Sequence, residues 1–577
     1  MNRTEIDGRS VNTLWASVLV VTLWRCGVRQ AVVSPGSRST PLTLALARHP
    51  GIEAIAVLDE RSAAFFALGL ARRSFAPVVL VCTSGTAGAN YFPAVIEAQE
   101  SGVPLIILTA DRPPEMRACA SGQTIDQQKL FGANVNFHHE LAVPEASLAM
   151  LAYLRQTLAH ACQSARQPQF GPVHLNVPFR DPLAPMLDEA VAPVASAIGE
   201  EFFTHLAPAQ LVDLVPVKIW PRGASPRGVI VAGPASPENV TYYVTNVSVL
   251  ARALGWPILA DGISPLRHDA AKDALVITAY DAILRNPAIA NELRPQQVLC
   301  LGDWPTSKVL RAWIASSGAE IVQVSQRSDN RDALHGRTRH LCAPVEALVT
   351  PKRKARATGY AAVWRKAEQA ARAALTSVPR LRGGIFEGDV VSTLADVLPK
   401  KTTVFVASSM PVRDVEYFWP ATMKGHRFYF NRGANGIDGT LSTALGVAHG
   451  GVPTVLLTGD LAFLHDSNGL LLSAKLRGAL TVVLINNQGG GIFEHLPVAG
   501  IGSAFEEFFA TPQEVDFAKL CAAHGVEHRL IRSLAELKRA VGAAPRQGVR
   551  VLEVRTDRKR DAAMRKRLFA AAAEATK

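Results

Sequence analysis

A carboxylate and a side-chain amide stand 27 positions apart near the C-terminal end of this sequence, Asp460 in Thr454-Val-Leu-Leu-Thr-Gly-Asp460 and Asn487 in Thr481-Val-Val-Leu-Ile-Asn-Asn487. Each follows an apolar run of strand length, and a helical pattern from Asp466 to Arg477 lies between them. Two strands joined by one crossover helix run parallel and end at the same sheet edge. Open α/β sheets place ligands at that edge. Asp460 and Asn487 can therefore converge on one hard divalent cation, which takes oxygen ligands and keeps ligand phosphates in its shell. Gly489-Gly490-Gly491 follows, and glycines let the backbone approach a diphosphate closely. The plainer alternative is an ordinary βαβ unit with a surface aspartate and a turn.

The elements that would position these residues can be read along all 577 residues. A hydrophobic content of 48% with 19% charged residues describes a soluble globular chain long enough for three or four domains. The first module, 1–185, shows buried strands at Ala31–Ser34, Ile55–Leu58, Val78–Thr83, Leu105–Ala110 and Val173–Val177, with helical patterns between. That alternation predicts a parallel sheet wound on both faces. A Pro- and Ala-rich stretch, Pro182 to Pro193, reads as a linker. The second module, 200–350, carries strands at Gly228–Ala232, Pro257–Ala260, Gln297–Gly302 and Glu320–Ser325, and a charged helical connector follows from Lys352 to Ala374. The third, 383–577, adds Thr403–Ala407, Thr454–Thr458, Thr481–Ile485 and Arg550–Val554. The fold class is α/β, three consecutive modules with mainly parallel sheets.

Other features set limits. Seven cysteines show no CxxC pair and no metal spacing, and Cys82 and Cys300 end apolar runs, so reduced thiols and a cytoplasmic setting are expected. The apolar run Leu14–Trp24 is too short to span a bilayer and leads directly into a strand, so it reads as an amphipathic helix packed on a sheet rather than a signal peptide. The net charge of +12 is most visible in Arg558-Lys559-Arg560 and Arg565-Lys566-Arg567. That pattern reads as a solvated helix face, with no nucleic-acid motif beside it. A positive field also suits a protein that collects small polyanions. His138-His139 reads as a surface turn, and His465 lies close to Asp460.

Gly459-Asp460 followed by Asn486-Asn487 resembles the thiamine-diphosphate signature, with Leu461 where a second glycine usually stands. Three α/β modules fit the architecture of such decarboxylases, in which the first and third bind the cofactor. The chemistry needs a carboxyl group on the aminopyrimidine ring, and Glu60 is the candidate. Taken alone, Asp59-Glu60 is simply a helix start, where acids are favoured. The resemblance then narrows. Ser34-Pro-Gly-Ser-Arg-Ser-Thr-Pro-Leu42, Asp59–Phe65, Thr83–Asn90, Ala110–Glu115, Gly171–Phe179, Ser409–Arg413, Asn431-Arg-Gly-Ala-Asn-Gly-Ile-Asp-Gly439 and Gly459–Asp466 resemble the 2-succinyl-5-enolpyruvyl-6-hydroxy-3-cyclohexene-1-carboxylate synthase family.

That resemblance implies decarboxylation of 2-oxoglutarate and conjugate addition of the remaining four-carbon unit to isochorismate, a step of menaquinone biosynthesis. The two substrates bring four carboxylates, which arginine forks bind bidentately. Carried over by position, Ser37, Arg38, Arg112, Gln123, Lys308, Ser409, Arg413 and Arg432 face the substrates. Ile437 supports the bent cofactor, although plain core packing would also explain it. Asp460, Asn487 and the Gly489 carbonyl hold Mg²⁺ or Mn²⁺. Ser409, Met410, Gly459, Leu461, Gly489, Ile492 and Phe493 lie against the cofactor. A homodimer or homotetramer is implied, with the cofactor bridging the first module of one subunit and the third of another. Two rivals stay open. One is an acetolactate-synthase-like carboligase acting on pyruvate, which the arginine set and Leu461 disfavour. The other is a non-catalytic cofactor-binding protein, which the presence of Glu60 disfavours.

Overall fold

The computed structural model describes residues 6–209, 215–220, 223–351, 359–543, 545 and 547–577. Among these residues, eighteen strands form three six-stranded sheets, parallel throughout. The first holds β1 (Gln30–Val33), β2 (Glu53–Ala56), β3 (Val78–Cys82), β4 (Leu105–Asp111), β5 (Phe137–Glu140) and β6 (Val173–Pro178), in the order β2-β1-β3-β4-β6-β5. The second holds β7 (Gly228–Ala232), β8 (Ile258–Ala260), β9 (Val276–Ile277), β10 (Gln297–Leu301), β11 (Glu320–Ser325) and β12 (Arg337–Cys342), in the order β12-β11-β10-β7-β8-β9. The third holds β13 (Thr403–Val406), β14 (Arg427–Phe430), β15 (Thr454–Gly459), β16 (Ala479–Asn486), β17 (Glu527–Ile531) and β18 (Gly548–Arg555), in the order β14-β13-β15-β16-β18-β17. The first and third sheets thus share one winding. Strand order reverses between β1 and β3 in one and between β13 and β15 in the other, and such switch points open a crevice for ligands.

The chain packs as two compact units, one of Met1–Val212 with Asn431–His449 and Asp466–Lys475, the other of Asp213–Phe430 with Gly450–His465 and Leu476–Lys577. In the first unit, helix Glu60–Ser74 crosses helix Thr440–Ala448 at two glycines. A Cβ on Gly69 would fall 2.1 Å from the Thr443 carbonyl oxygen, and one on Gly446 would fall 2.2 Å from that of Phe66. Neither backbone can yield without breaking its helix. Glycine costs about 1 kcal/mol against alanine in a helix interior, and here its lack of a side chain permits the close crossing. We expect Gly69→Ala to destabilise the protein by about 1–3 kcal/mol despite the propensity gain. A thermal midpoint equal to wild type or higher would contradict the close crossing.

Several expectations need correction. The helix around Leu14–Trp24 runs Val11–Arg25 and is buried from Asn12 to Leu23 on every face rather than amphipathic. A helix apolar all round belongs inside a core. His138-His139 lies not in a turn but in edge strand β5, paired with β6. The pattern from Asp466 to Arg477 is not a continuous α-helix: a short one spans Asp460–His465 and a 3₁₀ stretch spans Ser467–Lys475. The side chain of Asp466 instead accepts from Ser442 N (2.6 Å) and Ser442 Oγ (2.9 Å), capping the helix that starts at Thr440. The connector is helical over Tyr360–Ser377, and its expected first residues, 352–358, lie outside the described residues. The basic C-terminal run is not simply a solvated face. Lys559, Lys566 and Arg567 are exposed, but Arg565 is 1% exposed and paired with Glu387 and Asp414.

Candidate active site

In the second unit, β15 and β16 pair in register, Gly459 against Ile485. Asp460 and Asn487 each stand one residue beyond these strands, as neighbours at the C-terminal edge. The carboxylate of Asp460 accepts from Leu461 N and Gly489 N, both at 2.8 Å. Burial pushes its carboxyl up to about 6 against those two hydrogen bonds. Asn487 is buried and gives its Nδ2 to Glu387 Oε1 at 2.7 Å. Its Oδ1, also buried, has no hydrogen-bond partner among the described residues. An orphaned buried acceptor beside a desolvated carboxylate is the donor set a hard cation needs. Gly489, at φ +127°, packs so tightly that a Cβ would lie 2.1 Å from the Ala510 carbonyl oxygen. No cluster of three His, Cys, Asp or Glu side chains suited to a metal occurs among the described residues, so a cation held here would need further ligands, which diphosphate oxygens can supply.

Across the switch point, β13 leads to Ser409 at φ +70° and the helix Met410–Phe418. The first-turn N–H groups of Met410 and Val412, on either side of Pro411, suit an anionic group. Met410 is buried, and Arg413 turns back to the Ser409 carbonyl oxygen at 2.6 Å. Burial holds the Arg413 pKa below the usual arginine value, and nearby Arg311 adds to that effect. Lys308 is exposed at the first position of helix Lys308–Ser317; Arg311, one turn on, lies within electrostatic reach of Arg413. Ile492 and Phe493 are half-buried in the 3₁₀ turn Gly491–His495. His495 ends that turn with its Nε2 buried and without a partner among the described residues. Burial, and then Arg565, push its ring down to about 4. Arg311 and His495 escaped the sequence reading because neither sits in a recognisable motif.

In the first unit, the motif loops after β1, β3 and β4 pack on one another. A Cβ on Gly36 would meet the Thr83 side chain at 2.2 Å, and one on Gly85 (φ +86°) the Gln123 side chain at 2.9 Å. Arg38 is buried, donates to the Phe179 carbonyl oxygen at 3.0 Å, and keeps an unpartnered Nε among the described residues. Arg112 donates to Ser84 Oγ (2.6 Å) and to the Gln123 carbonyl oxygen (2.8 Å), and Gln123 Nε2 donates to the Ser84 carbonyl oxygen (3.0 Å). Ser37 is exposed at the rim. Glu60 opens helix Glu60–Ser74 behind the cap Asp59, whose carboxylate accepts from Ser62 N and from Asn468 Nδ2. Arg432 and Ile437 lie in the loop 431–439, anchored where Gly433 N and Ala434 N donate to buried Glu97 at 3.0 and 2.7 Å. His465 is exposed. The structure therefore gathers Arg38, Arg112 and Gln123 around one loop cluster. In the other unit it gathers Asp460, Leu461, Asn487 and Gly489 around a second.

Three domain descriptions match the chain in succession: the N-terminal TPP binding domain of thiamine pyrophosphate enzymes over residues 15–130, the middle domain over 200–406, and the C-terminal TPP binding domain over 414–554. Fold and site together define a thiamine-pyrophosphate enzyme. Benzoylformate decarboxylase from Polynucleobacter necessarius shares the fold, with a TM-score of 0.68 at 17% identity over 94% of this chain and 98% of that one. The 2-succinyl-5-enolpyruvyl-6-hydroxy-3-cyclohexene-1-carboxylate synthase of Synechococcus sp. (strain JA-3-3Ab) is 52% identical over 98% of this chain and 97% of its own. That of Trichodesmium erythraeum is 48% identical over 97% and 98%. The chain belongs to the 2-succinyl-5-enolpyruvyl-6-hydroxy-3-cyclohexene-1-carboxylate synthase family.

Proposed function

We propose that the protein decarboxylates 2-oxoglutarate and adds the remaining four-carbon unit to isochorismate, forming 2-succinyl-5-enolpyruvyl-6-hydroxy-3-cyclohexene-1-carboxylate for menaquinone biosynthesis. The observation that carries this reading is the full-length identity to relatives bearing that name. When bound, thiamine diphosphate supplies the thiazolium carbon that accommodates the electrons released on decarboxylation. Glu60 holds and moves a proton at the aminopyrimidine ring. The module 1–185 contributes that acid, and the module 383–577 receives the diphosphate and cation. Asp460, Asn487 Oδ1 and the Gly489 carbonyl hold Mg²⁺ or Mn²⁺. Ser409, Met410, Gly459, Leu461, Ile492 and Phe493 line the diphosphate end, and Ile437 supports the rings. Buried or half-buried Arg38, Arg112, Arg413 and Arg432 pair with substrate carboxylates, with Ser37, Gln123 and Lys308 beside them. Desolvated guanidinium–carboxylate pairs reject a substrate that leaves the charge unmatched, which favours a dicarboxylic keto acid over pyruvate. A homodimer or homotetramer, with the cofactor bridging the first module of one subunit and the third of another, belongs to the same reading. No described helix is long and apolar enough to cross a membrane, which is compatible with work in the cytoplasm.

The test is product formation by the purified protein with thiamine diphosphate, Mg²⁺ and 2-oxoglutarate, with and without isochorismate, followed by mass spectrometry. An adduct that needs both substrates is expected. Consumption of pyruvate in its place would overturn the substrate assignment and leave the cofactor. Asp460→Ala is expected to lose cation-dependent cofactor binding, read as quenching of intrinsic fluorescence on adding thiamine diphosphate and Mg²⁺. Quenching at wild-type concentrations would remove Asp460 from the cation site.

A further inference from the structure

An asparagine serves a cation only through its oxygen, and the two ends of its amide are nearly alike in shape. Its hydrogen-bond partners therefore decide which end faces the cation. Asn487 gives Nδ2 to Glu387 Oε1 at 2.7 Å. Glu387 is 2% exposed, and the same oxygen also accepts from Thr556 Oγ1 at 3.0 Å. Its other oxygen is paired with Arg565. Arg565, 1% exposed on the C-terminal helix, closes a two-pronged bond on Asp414, Nε to Oδ1 at 2.8 Å and Nη2 to Oδ2 at 2.6 Å. The backbone of Glu387 is fixed as well, its N–H donating to Asp561 Oδ2 at 3.0 Å. A carboxylate held by a guanidinium accepts hydrogen bonds only, so the amide nitrogen must turn toward it. The oxygen is then left pointing away, buried and without a partner among the described residues.

We propose that Glu387 is a positioning residue that locks the Asn487 amide with its oxygen toward the cation, and that Arg565 ties this lock through Asp414 to the helix that follows Ser409 and bears Arg413. The inference rests on the assignment of Asn487 as a cation ligand. It gives the C-terminal helix a role in the site although none of its residues is a ligand.

The test is Mn²⁺ binding in the presence of thiamine diphosphate, followed by electron paramagnetic resonance of the free ion, with no turnover required. Glu387→Gln, whose own amide can accept or donate, is expected to weaken binding about 10–100-fold, as loss of an outer partner does. In an Asn487→Ser background the same substitution should weaken binding no further, because the amide it orients is gone. A merely structural role would weaken both backgrounds alike and would overturn the proposal, as would wild-type affinity in Glu387→Gln. Should Glu387→Gln fail to fold, Thr556→Val keeps both charges and withdraws one donor from Glu387. A few-fold weakening seen only when Asn487 is present would support the lock, and none would overturn it. Absence of Mn²⁺ binding by the wild-type protein, or its persistence in Asp460→Ala, would strike the cation site itself rather than the lock.

Discussion

Glu60→Gln should fold, bind thiamine diphosphate, and turn over about 10²–10⁴-fold more slowly than the wild type, the range for removing a positioned acid or base. The substitution keeps size and polarity and removes only the titratable group. The setting of Glu60 explains why the loss should be specific. It is the first residue of helix Glu60–Ser74, where the positive end of the helix dipole favours negative charge. Its charge reaches Cys82 and Tyr91, whose thiol and phenol are pushed up first by burial, with Glu60 adding to the shift. Tyr91 is itself fixed to Ser34 Oγ at 3.1 Å and to the Val81 carbonyl oxygen at 2.8 Å, so this neighbourhood is rigid. The measurement is adduct formation by mass spectrometry, alongside hydrogen–deuterium exchange at the reactive carbon of bound thiamine diphosphate. Both should fall together. A variant keeping more than about a tenth of the rate would show that Glu60 is not the acid.

The largest stability loss is expected at Arg267→Met, in the second unit. Arg267 is fully buried and donates to the carbonyl oxygens of Ala260 (3.0 Å), Glu416 (2.7 Å) and Trp419 (3.0 Å), and it pairs with Glu416 Oε2 at 3.3 Å. Removing one partner of such a buried pair costs about 3–5 kcal/mol, read as a fall in the thermal midpoint. The loss should also depend on pH. Burial, reinforced by Asp261, pushes the Glu416 carboxyl up to about 8, while Arg267 pulls the other way. A carboxyl raised in the folded state contributes stability that is full below its ordinary value of 4.5 and is lost as pH rises through about 8. Without Arg267 the folded protein holds that proton to still higher pH, so the deficit should be larger at pH 9 than at pH 6. Equal deficits would show that another group responds.

The placing of Asp460 beside Asn487 at one sheet edge was legible because each follows an apolar run that pairs in the sheet. Two strand ends and one crossover place Asp460 and Asn487 as neighbours with no further information. The loop arginines were legible only through the motifs around them, since an isolated arginine in a loop carries no address. Glu387, Asp414 and Arg565 were not legible. Their pairing spans some 150–180 positions and depends on where the C-terminal helix docks. Their composition misleads too, because Arg565 stands within a basic run that looks solvated. Two edge strands, β12 and β17, were missed for a related reason. β12, Arg337-Thr-Arg-His-Leu-Cys342, and β17, Glu527-His-Arg-Leu-Ile531, are only partly buried and lack the apolar runs that mark a central strand.

The crossing of helix Glu60–Ser74 with helix Thr440–Ala448 also bears on how the protein is made. The surface of the earlier helix around Phe66 and Gly69 is completed by a segment that leaves the ribosome hundreds of residues later. At synthesis rates of about 5–20 residues per second that delay is on the order of tens of seconds. Through that interval the face of helix Glu60–Ser74 around Phe66 and Gly69 stays uncovered, a natural client for a chaperone. A fragment cut near residue 200 would keep that face permanently, so the N-terminal domain expressed by itself should aggregate, and co-expression with residues 431–475 should return it to solution.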